Sequence, residues 1–246
     1  MPLLPGLRRR VGMLLDERVR RVSHVRNALA TRYLSGDGIE IGALHKPLPM
    51  PRGARVRYVD RMSAADLRRH YPELASWDLV DPDIIDDGER LETVADNSLD
   101  FVVANHFIEH TEDPLGAIGN HLRVLKPGGV IFMAVPEKRR TFDRDRQVTT
   151  IDHLVRDHRE GPETSRPQHF EEWARDVDHA DDVAAHAQAL MEQAYSIHFH
   201  VWTCDAFRDL LEHARAGEQM PFSIEEVVEN GFEFIVVLRK TQRSSA

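Results

Sequence analysis

A single cysteine, Cys204, stands among the 246 residues, so no disulfide can form within the chain and nothing demands an oxidising compartment. No apolar run approaches the roughly 20 residues that a membrane helix needs. The start also lacks the apolar core of a secretory signal, because Leu3 and Leu4 are followed at once by Pro5, Gly6 and three arginines. The cytoplasm is the expected compartment. Lysine is scarce, 4 residues against 28 arginines, a bias that genes rich in G and C produce. Positive charge is short overall and unevenly placed. The net charge is −9, yet residues 1–35 carry eight arginines against only Asp16 and Glu17. The body is therefore strongly acidic, which argues against a nucleic-acid partner, since phosphate contacts need clustered basic side chains. The basic leader reads as a solvated amphipathic helix packed by Leu14, Leu15, Val19 and Val22, with a membrane surface or an acidic partner as the alternative.

From Ile39 to Val135 short β-rich runs alternate with helical stretches, the pattern of a parallel sheet with crossover helices. Strands are expected at Gly38–Ile41, Arg55–Asp60, Leu79–Asp83, Asp100–Asn105 and Val130–Val135. Helices are expected at Ala64–Tyr71, ended by Pro72, and at Pro114–Leu125, where Leu115, Ile118, Leu122 and Leu125 keep helical spacing. Lys126-Pro127-Gly128-Gly129 marks a sharp turn. Beyond Pro136 charge and histidine dominate up to residue 200, with a helical stretch at Val183–Tyr195 and a short strand signal near Ile197. Thr203 is placed to cap a helix that carries Phe207, Leu210 and Leu211. Two last strands, Phe222–Val228 and Phe232–Leu238, are joined through Asn230-Gly231, a strong hairpin signal.

Glycine is missing where a dinucleotide would need it. The first strand runs Ile39-Glu40-Ile41-Gly42 and continues Ala43-Leu44-His45-Lys46-Pro47, with no glycine-rich nest for a pyrophosphate. An acid on the first strand, Asp60 at the end of the second and Asp83 after the third suit a cofactor that has a ribose and an adenine but no phosphate. A carboxylate at Asp60 offers two acceptors to two ribose hydroxyls. Gly42 lets the backbone approach a ligand, and Ile84 can pack on a ring.

The stretch from Asp96 through Asn105 to His110, followed by a helix and Leu125-Lys126-Pro127-Gly128-Gly129, resembles the fourth-strand signature of class I S-adenosylmethionine-dependent methyltransferases. The resemblance covers about 100 residues, Ile39 to Pro136, and departs from the family in the glycine-rich loop, which has one glycine where two or three are usual. It implies an α/β, Rossmann-like, doubly wound sheet of seven strands with a terminal antiparallel hairpin and a helical lid. A helical extension is then expected over residues 1–36 and the methyltransferase domain over 37–246, with the lid at 137–202. It also implies a cofactor shell of Glu40, Gly42, Ala43, Asp60, Asp83, Ile84, Asn105, His106 and His110.

His106-Phe107-Ile108-Glu109-His110 also spells the inverted zinc-peptidase motif. His106 is expected on the turn that leaves the strand, and no further acid can be tied to the pair from the sequence. In the methyltransferase pattern Glu109 and His110 open the next helix beside the cofactor.

Methyl transfer to a hydroxyl needs a base, or a divalent metal that acidifies the hydroxyl. The insertion offers Asp143, Asp145, Asp152, His153, Asp157, His158, His169, His198 and His200. Asp143-Arg144-Asp145-Arg146 is either a salt-bridged loop or a site for a metal or an acidic sugar. Alternation in Ser196–Trp202 would put His198 and His200 on one face. Trp173 and Trp202 stack on a sugar or fill the lid's core. His153, His200, His198 and His106 are the expected catalytic residues, with Mg²⁺ as an optional cofactor. The insertion resembles those of bacterial methyltransferases that act on sugars in polysaccharide assembly, including mycobacterial mannoside O-methyltransferases. The acceptor expected from this is a small saccharide. The sequence leaves the oligomeric state open, a homodimer among the alternatives. A short-chain-type nicotinamide enzyme is the competing reading, but no tyrosine has a lysine four residues on. A catalytically dead methyltransferase-like scaffold is the third.

Overall fold

A computed structural model describes residues 22–242. Leu14, Leu15, Val19 and most of the basic leader lie outside the described residues, whereas Val22 opens the described part of a helix, α1, over residues 22–33. Seven strands follow the expected alternation: β1 (Gly36–Ile41), β2 (Ala54–Asp60), β3 (Ile84–Ile85), β4 (Leu99–Asn105), β5 (Leu125–Pro136), β6 (Phe222–Asn230) and β7 (Glu233–Lys240). They form one sheet in the order β3-β2-β1-β4-β5-β7-β6. The first five are parallel, and β7 lies antiparallel between β5 and β6. The order runs outward in both directions from the β1/β4 junction, which opens a crevice at the carboxyl ends of those strands.

Period-two alternation decides which helix covers which face. Phe101 and Val103 of β4, with Phe132, Ile235 and Val237, pack beneath Ala30 and Leu34 at α1. Val102 and Ala104, with Ile131 and Met133, face the other way, onto α3 (Pro114–Val124) and α7 (Cys204–Ala216) through Ile118, Leu122, Phe207 and Leu210. Side chains this completely buried stabilise the fold by roughly 1.5–3 kcal/mol each. Both helices begin at real caps: Asp113 accepts from the Gly116 amide at 2.9 Å and Thr203 from the Ala206 amide at 3.2 Å. Between β2 and β3 lies α2 (Ala64–His70), capped by Ser63.

Three local expectations shift. The third strand is Ile84–Ile85 and not Leu79–Asp83, because Pro82 cannot donate to a ladder and pairing with β2 begins only past it. Lys126–Gly129 is absorbed into β5 as an irregularity, the register with β4 jumping from Leu99↔Leu125 to Phe101↔Val130. In the hairpin, Asn230 pairs with Glu233, so the two loop residues are Gly231 and Phe232. Gly231 has φ +71°, the first-position glycine of a type II′ turn.

Residues 137–203 carry α4 (Ile151–Glu160), α5 (Arg166–Asp176) and α6 (Val183–Glu192). Phe170, Trp173, Leu190, Ile197 and Phe199 make a small separate core there. The run around Ile197 is extended but joins no strand; one isolated bridge, Glu137↔Trp202, ties its end to β5. Among the described residues no helix is long and apolar enough to cross a membrane.

Candidate active site

A cleft of about 1020 Å³ opens over the carboxyl ends of β1 to β4. Its floor includes Ile41, Gly42, Asp60, Ile85, Asp86, Asp87, Gly88, His106 and Phe107, and its roof Tyr71, Phe170, Tyr195, Ser196 and Phe199. Leu44, His106 and Ala194 all adopt left-handed backbone and all line this cleft. Such strain, held in place by the surrounding fold, gathers at functional sites. Arg61, next to Asp60, fastens the roof: its guanidinium donates to the Tyr71 hydroxyl and to the Ala194 carbonyl at 3.2 Å. Arg166 of α5 closes the far side through a bidentate pair with Glu112, at 2.7 and 2.8 Å.

The lining is acidic. Asp60, Glu73, Asp86, Asp87, Glu89, Glu112, Asp113 and Glu163 stand against Arg61, Arg90 and Arg166. This field repels a pyrophosphate and attracts a cationic ligand. Burial raises the pKa of Asp60 above the usual carboxylate range, with the Arg61 amide, donating at 2.8 Å, opposing it. Burial pushes Glu89 up to about 7, against the hydrogen bond from the Glu112 amide.

The expected cofactor residues divide. Gly42 has φ +63° and open space where a Cβ would stand, so the loop passes the cleft with backbone alone. Ala43 follows it, its carbonyl accepting from the Lys46 amide. Glu40 is buried and turned to the loop, both its oxygens accepting from the Leu48 amide at 3.0 Å, and burial pushes its pKa up to about 7. Asp83 accepts from the Tyr58 amide at 2.8 Å, and Ile84 packs against the core. The neighbours Ile85, Asp86 and Asp87 occupy the cleft in their place. Ile85 is 53% exposed, an apolar side chain open to a ring. The one-position phase of β3, displaced by Pro82, is what hid them; Asp-Asp-Gly at 86–88 was the available signal. Asn105 ends β4 with a buried Oδ1 that has no partner.

The histidines sort into three groups. His106 lies between two carboxylates, 2.8 Å from Glu233 and 3.5 Å from Glu109. Burial alone would lower its pKa, but these partners outweigh burial and raise it to about 9. A cationic imidazole does not serve as a base, so the geometry gives His106 a charge-balancing place. His153, His169 and His200 meet inside the lid, outside the cleft lining, with His153 Nε2 3.0 Å from both His169 Nε2 and an Asp157 oxygen. The third group, Glu109, His110 and His198, brings one ligand atom from each within 4.8 Å of the others. His110 lines the cleft, and burial lowers its pKa to about 4, leaving a neutral imidazole.

Asp143-Arg144-Asp145-Arg146 is a salt-bridged loop. Asp143 and Arg146 pair at 2.9 Å in the interior, while Asp145 and Arg144 pair on the surface. Asp143 also holds His198 Nδ1 at 2.8 Å. Trp202 is buried against Phe207, and Trp173 sits in the lid core with its indole N–H on Asp178. Neither lines the cleft. Tyr71, Tyr195 and Arg166 do, and no pattern in the sequence pointed to them.

Residues 36–133 match a family model described as a methyltransferase domain. The match spans β1 to β4 and most of β5, so this part of the sheet carries the similarity to that domain. Among solved structures, a methyltransferase in complex with the Haloferax volcanii Trm112 methyltransferase activator is 13% identical, with TM-score 0.53 over 94% of this chain and 93% of its own. A Rhodobacter sphaeroides protein described provisionally as a Zn-dependent alcohol dehydrogenase is 18% identical, with TM-score 0.51 over 88% and 90%. An Aquifex aeolicus SAM-dependent methyltransferase is 13% identical, with TM-score 0.47 over 89% of each chain. At these identities the first two likenesses show the fold alone. No curated protein sequence matches the chain significantly.

S-adenosylmethionine is the cofactor of proteins with this domain, and the cleft's chemistry fits it: an acidic field for a sulfonium, a carboxylate at the end of β2 and an exposed apolar side chain at β3. Mg²⁺ does not fit. Among the described residues, the two groups with converging ligand atoms contain two and three imidazoles, whereas Mg²⁺ takes oxygen ligands.

Proposed function

We propose that the chain methylates a hydroxyl of a small saccharide, in the cleft between the sheet and the lid. The observation that carries this reading is the place of His110 on the cleft wall, its Nδ1 held by the Ile197 carbonyl at 2.9 Å, beside a predominantly acidic cofactor floor. In an in-line displacement the enzyme's contribution is position and the removal of one proton. Asp60 is placed to accept the ribose hydroxyls. His110 keeps an unprotonated ring at neutral pH because its surroundings are dry, and Ile197's carbonyl at 2.9 Å holds its Nδ1–H. Tyr195, Ser196 and Arg166 supply hydroxyl and guanidinium groups of the kind that hold a polar acceptor. The resemblance of the lid to those of sugar-modifying methyltransferases supports a saccharide over other hydroxyl acceptors.

The test is transfer of labelled methyl from S-adenosylmethionine to a panel of mono- and oligosaccharides, with amines and phenols alongside. Label recovered in a saccharide as an alkali-stable ether, reduced at least 100-fold in kcat by His110→Ala, supports the reading. Label found only in amines would overturn it, as would failure to bind S-adenosylhomocysteine.

A further inference from the structure

We infer that Glu109, His110 and His198 form a site for a divalent first-row transition metal such as Zn²⁺ or Mn²⁺, at the inner wall of the cleft. The two imidazoles are presented as metal-binding imidazoles are. His110 Nδ1 meets the Ile197 carbonyl at 2.9 Å and the Ser196 hydroxyl at 3.0 Å. His198 Nδ1 meets the Asp143 carboxylate at 2.8 Å. Each ring therefore uses its Nδ1–H on an acceptor, which fixes the tautomer and leaves the Nε2 lone pair free, the arrangement seen around bound metal ions. Asp143 is itself held by Arg146 at 2.9 Å, so the orienting carboxylate is not free to turn. The rings stand edge to face with centroids 4.7 Å apart.

The third member supplies the charge. Glu109 is 1% exposed, and both its oxygens lack a hydrogen-bond partner. His106 is the nearest cation, its Nδ1 3.5 Å from one Glu109 oxygen and its Nε2 on Glu233 at 2.8 Å, which leaves the other Glu109 oxygen without a cationic neighbour. A buried carboxylate with two idle oxygens costs free energy unless something occupies them. With ligand atoms already within 4.8 Å of one another, small side-chain rotations bring them to the spacing of one coordination sphere. Two imidazoles and one carboxylate leave one or more positions open, and His110, alone of the three, lines the cleft.

The pentapeptide His106–His110 thus contributes its glutamate and second histidine, while its first histidine turns away. The site needs no methyl-transfer chemistry to exist. With metal bound, His110 is a ligand and no longer the base; a hydroxyl brought beside the metal would be acidified and pass its proton to water in the open cleft, a role that rests on the methyl-transfer reading proposed above.

The test is calorimetric titration of the chelator-treated full chain with Zn²⁺, with Co²⁺ visible absorption as the second readout. One equivalent per chain is expected. Glu109→Gln and His198→Ala should weaken it at least 100-fold, and Asp143→Asn 10- to 100-fold, with far-UV circular dichroism and melting temperature confirming that each variant folds. His169→Ala, in the separate three-histidine cluster, should leave the metal affinity unchanged. No binding by the folded wild type overturns the proposal, and so does binding that is lost in His169→Ala but retained in His198→Ala. Parallel titration with S-adenosylhomocysteine separates the two readings. Metal bound without it leaves this site standing and removes the methyl-transfer reading; the reverse does the opposite.

Discussion

Acidification should loosen the floor of the cleft through His121. This histidine is fully buried on α3 and hands its Nε2–H to the Gly88 carbonyl at 2.9 Å, tying α3 to the loop that lines the cleft. Its Nδ1 has no partner. Burial lowers its pKa from 6.5 to about 4, the Gly88 bond opposing only in part. The folded state therefore binds this proton less readily than the unfolded chain. Stability from the group is complete above pH 6.5 and is lost as pH falls toward 4. At about 1.4 kcal/mol per pH unit, the loss is about 2 kcal/mol by pH 5 and on the order of 3 kcal/mol in full. The perturbation is His121→Gln, whose amide can still donate to Gly88 but does not titrate. Urea unfolding of both proteins between pH 7.5 and 5 gives the difference in stability at each pH, and other titrating groups cancel in it. The wild type should lose about 2 kcal/mol relative to the variant across that window. A difference that stays flat to within a few tenths of a kcal/mol refutes the reasoning.

Asp60→Asn should weaken S-adenosylhomocysteine about 100-fold or more in calorimetric titration, since hydrogen bonds to a charged group contribute roughly 1.5–3 kcal/mol each. Gly88→Ala puts a Cβ 2.4 Å from Ile41 Cγ2 and 2.7 Å from Phe107 Cζ, both on the cleft wall, and should cost cofactor affinity more than stability. Gly231→Ala combines φ +71° with a Cβ only 2.8 Å from Val22 Cγ2, and should lower stability by about 1–3 kcal/mol in denaturant unfolding while leaving cofactor affinity unchanged.

The sheet was legible because its signals are local. The β-rich runs Asp100–Asn105 and Val130–Val135, the Thr203 cap and the Asn230-Gly231 turn each lie within a few residues of what they specify. That Gly42 and Asp60 would line the cleft was legible for the same reason, since both stand at strand ends. Asp83 and Ile84 stand just off the cleft lining, because Pro82 delays the start of β3 and passes the exposed place to Ile85. The grouping of the histidines was hidden for a larger reason. His110 and His198 are 88 residues apart, and Asp143 reaches His198 from a different turn. Nothing in the local pattern of any of them records that meeting. Counting histidines showed that the lid was rich in them without showing that His153, His169 and His200 would face one another and away from the cleft.

The place of β7 between β5 and β6 bears on how the protein is made. During synthesis the parallel half of the sheet can assemble as soon as β5 emerges, but β5 then has one bare edge. That edge runs through Val130-Ile131-Phe132-Met133-Ala134-Val135, an uncharged apolar hexapeptide buried in the finished fold. It stays open until residues 233–240 leave the ribosome. A nascent chain paused anywhere in the lid carries an adhesive strand with no mate, and the long insertion prolongs that interval. Codon choice and chaperone supply over residues 137–232 should therefore govern the soluble yield more than the stability of the completed molecule does.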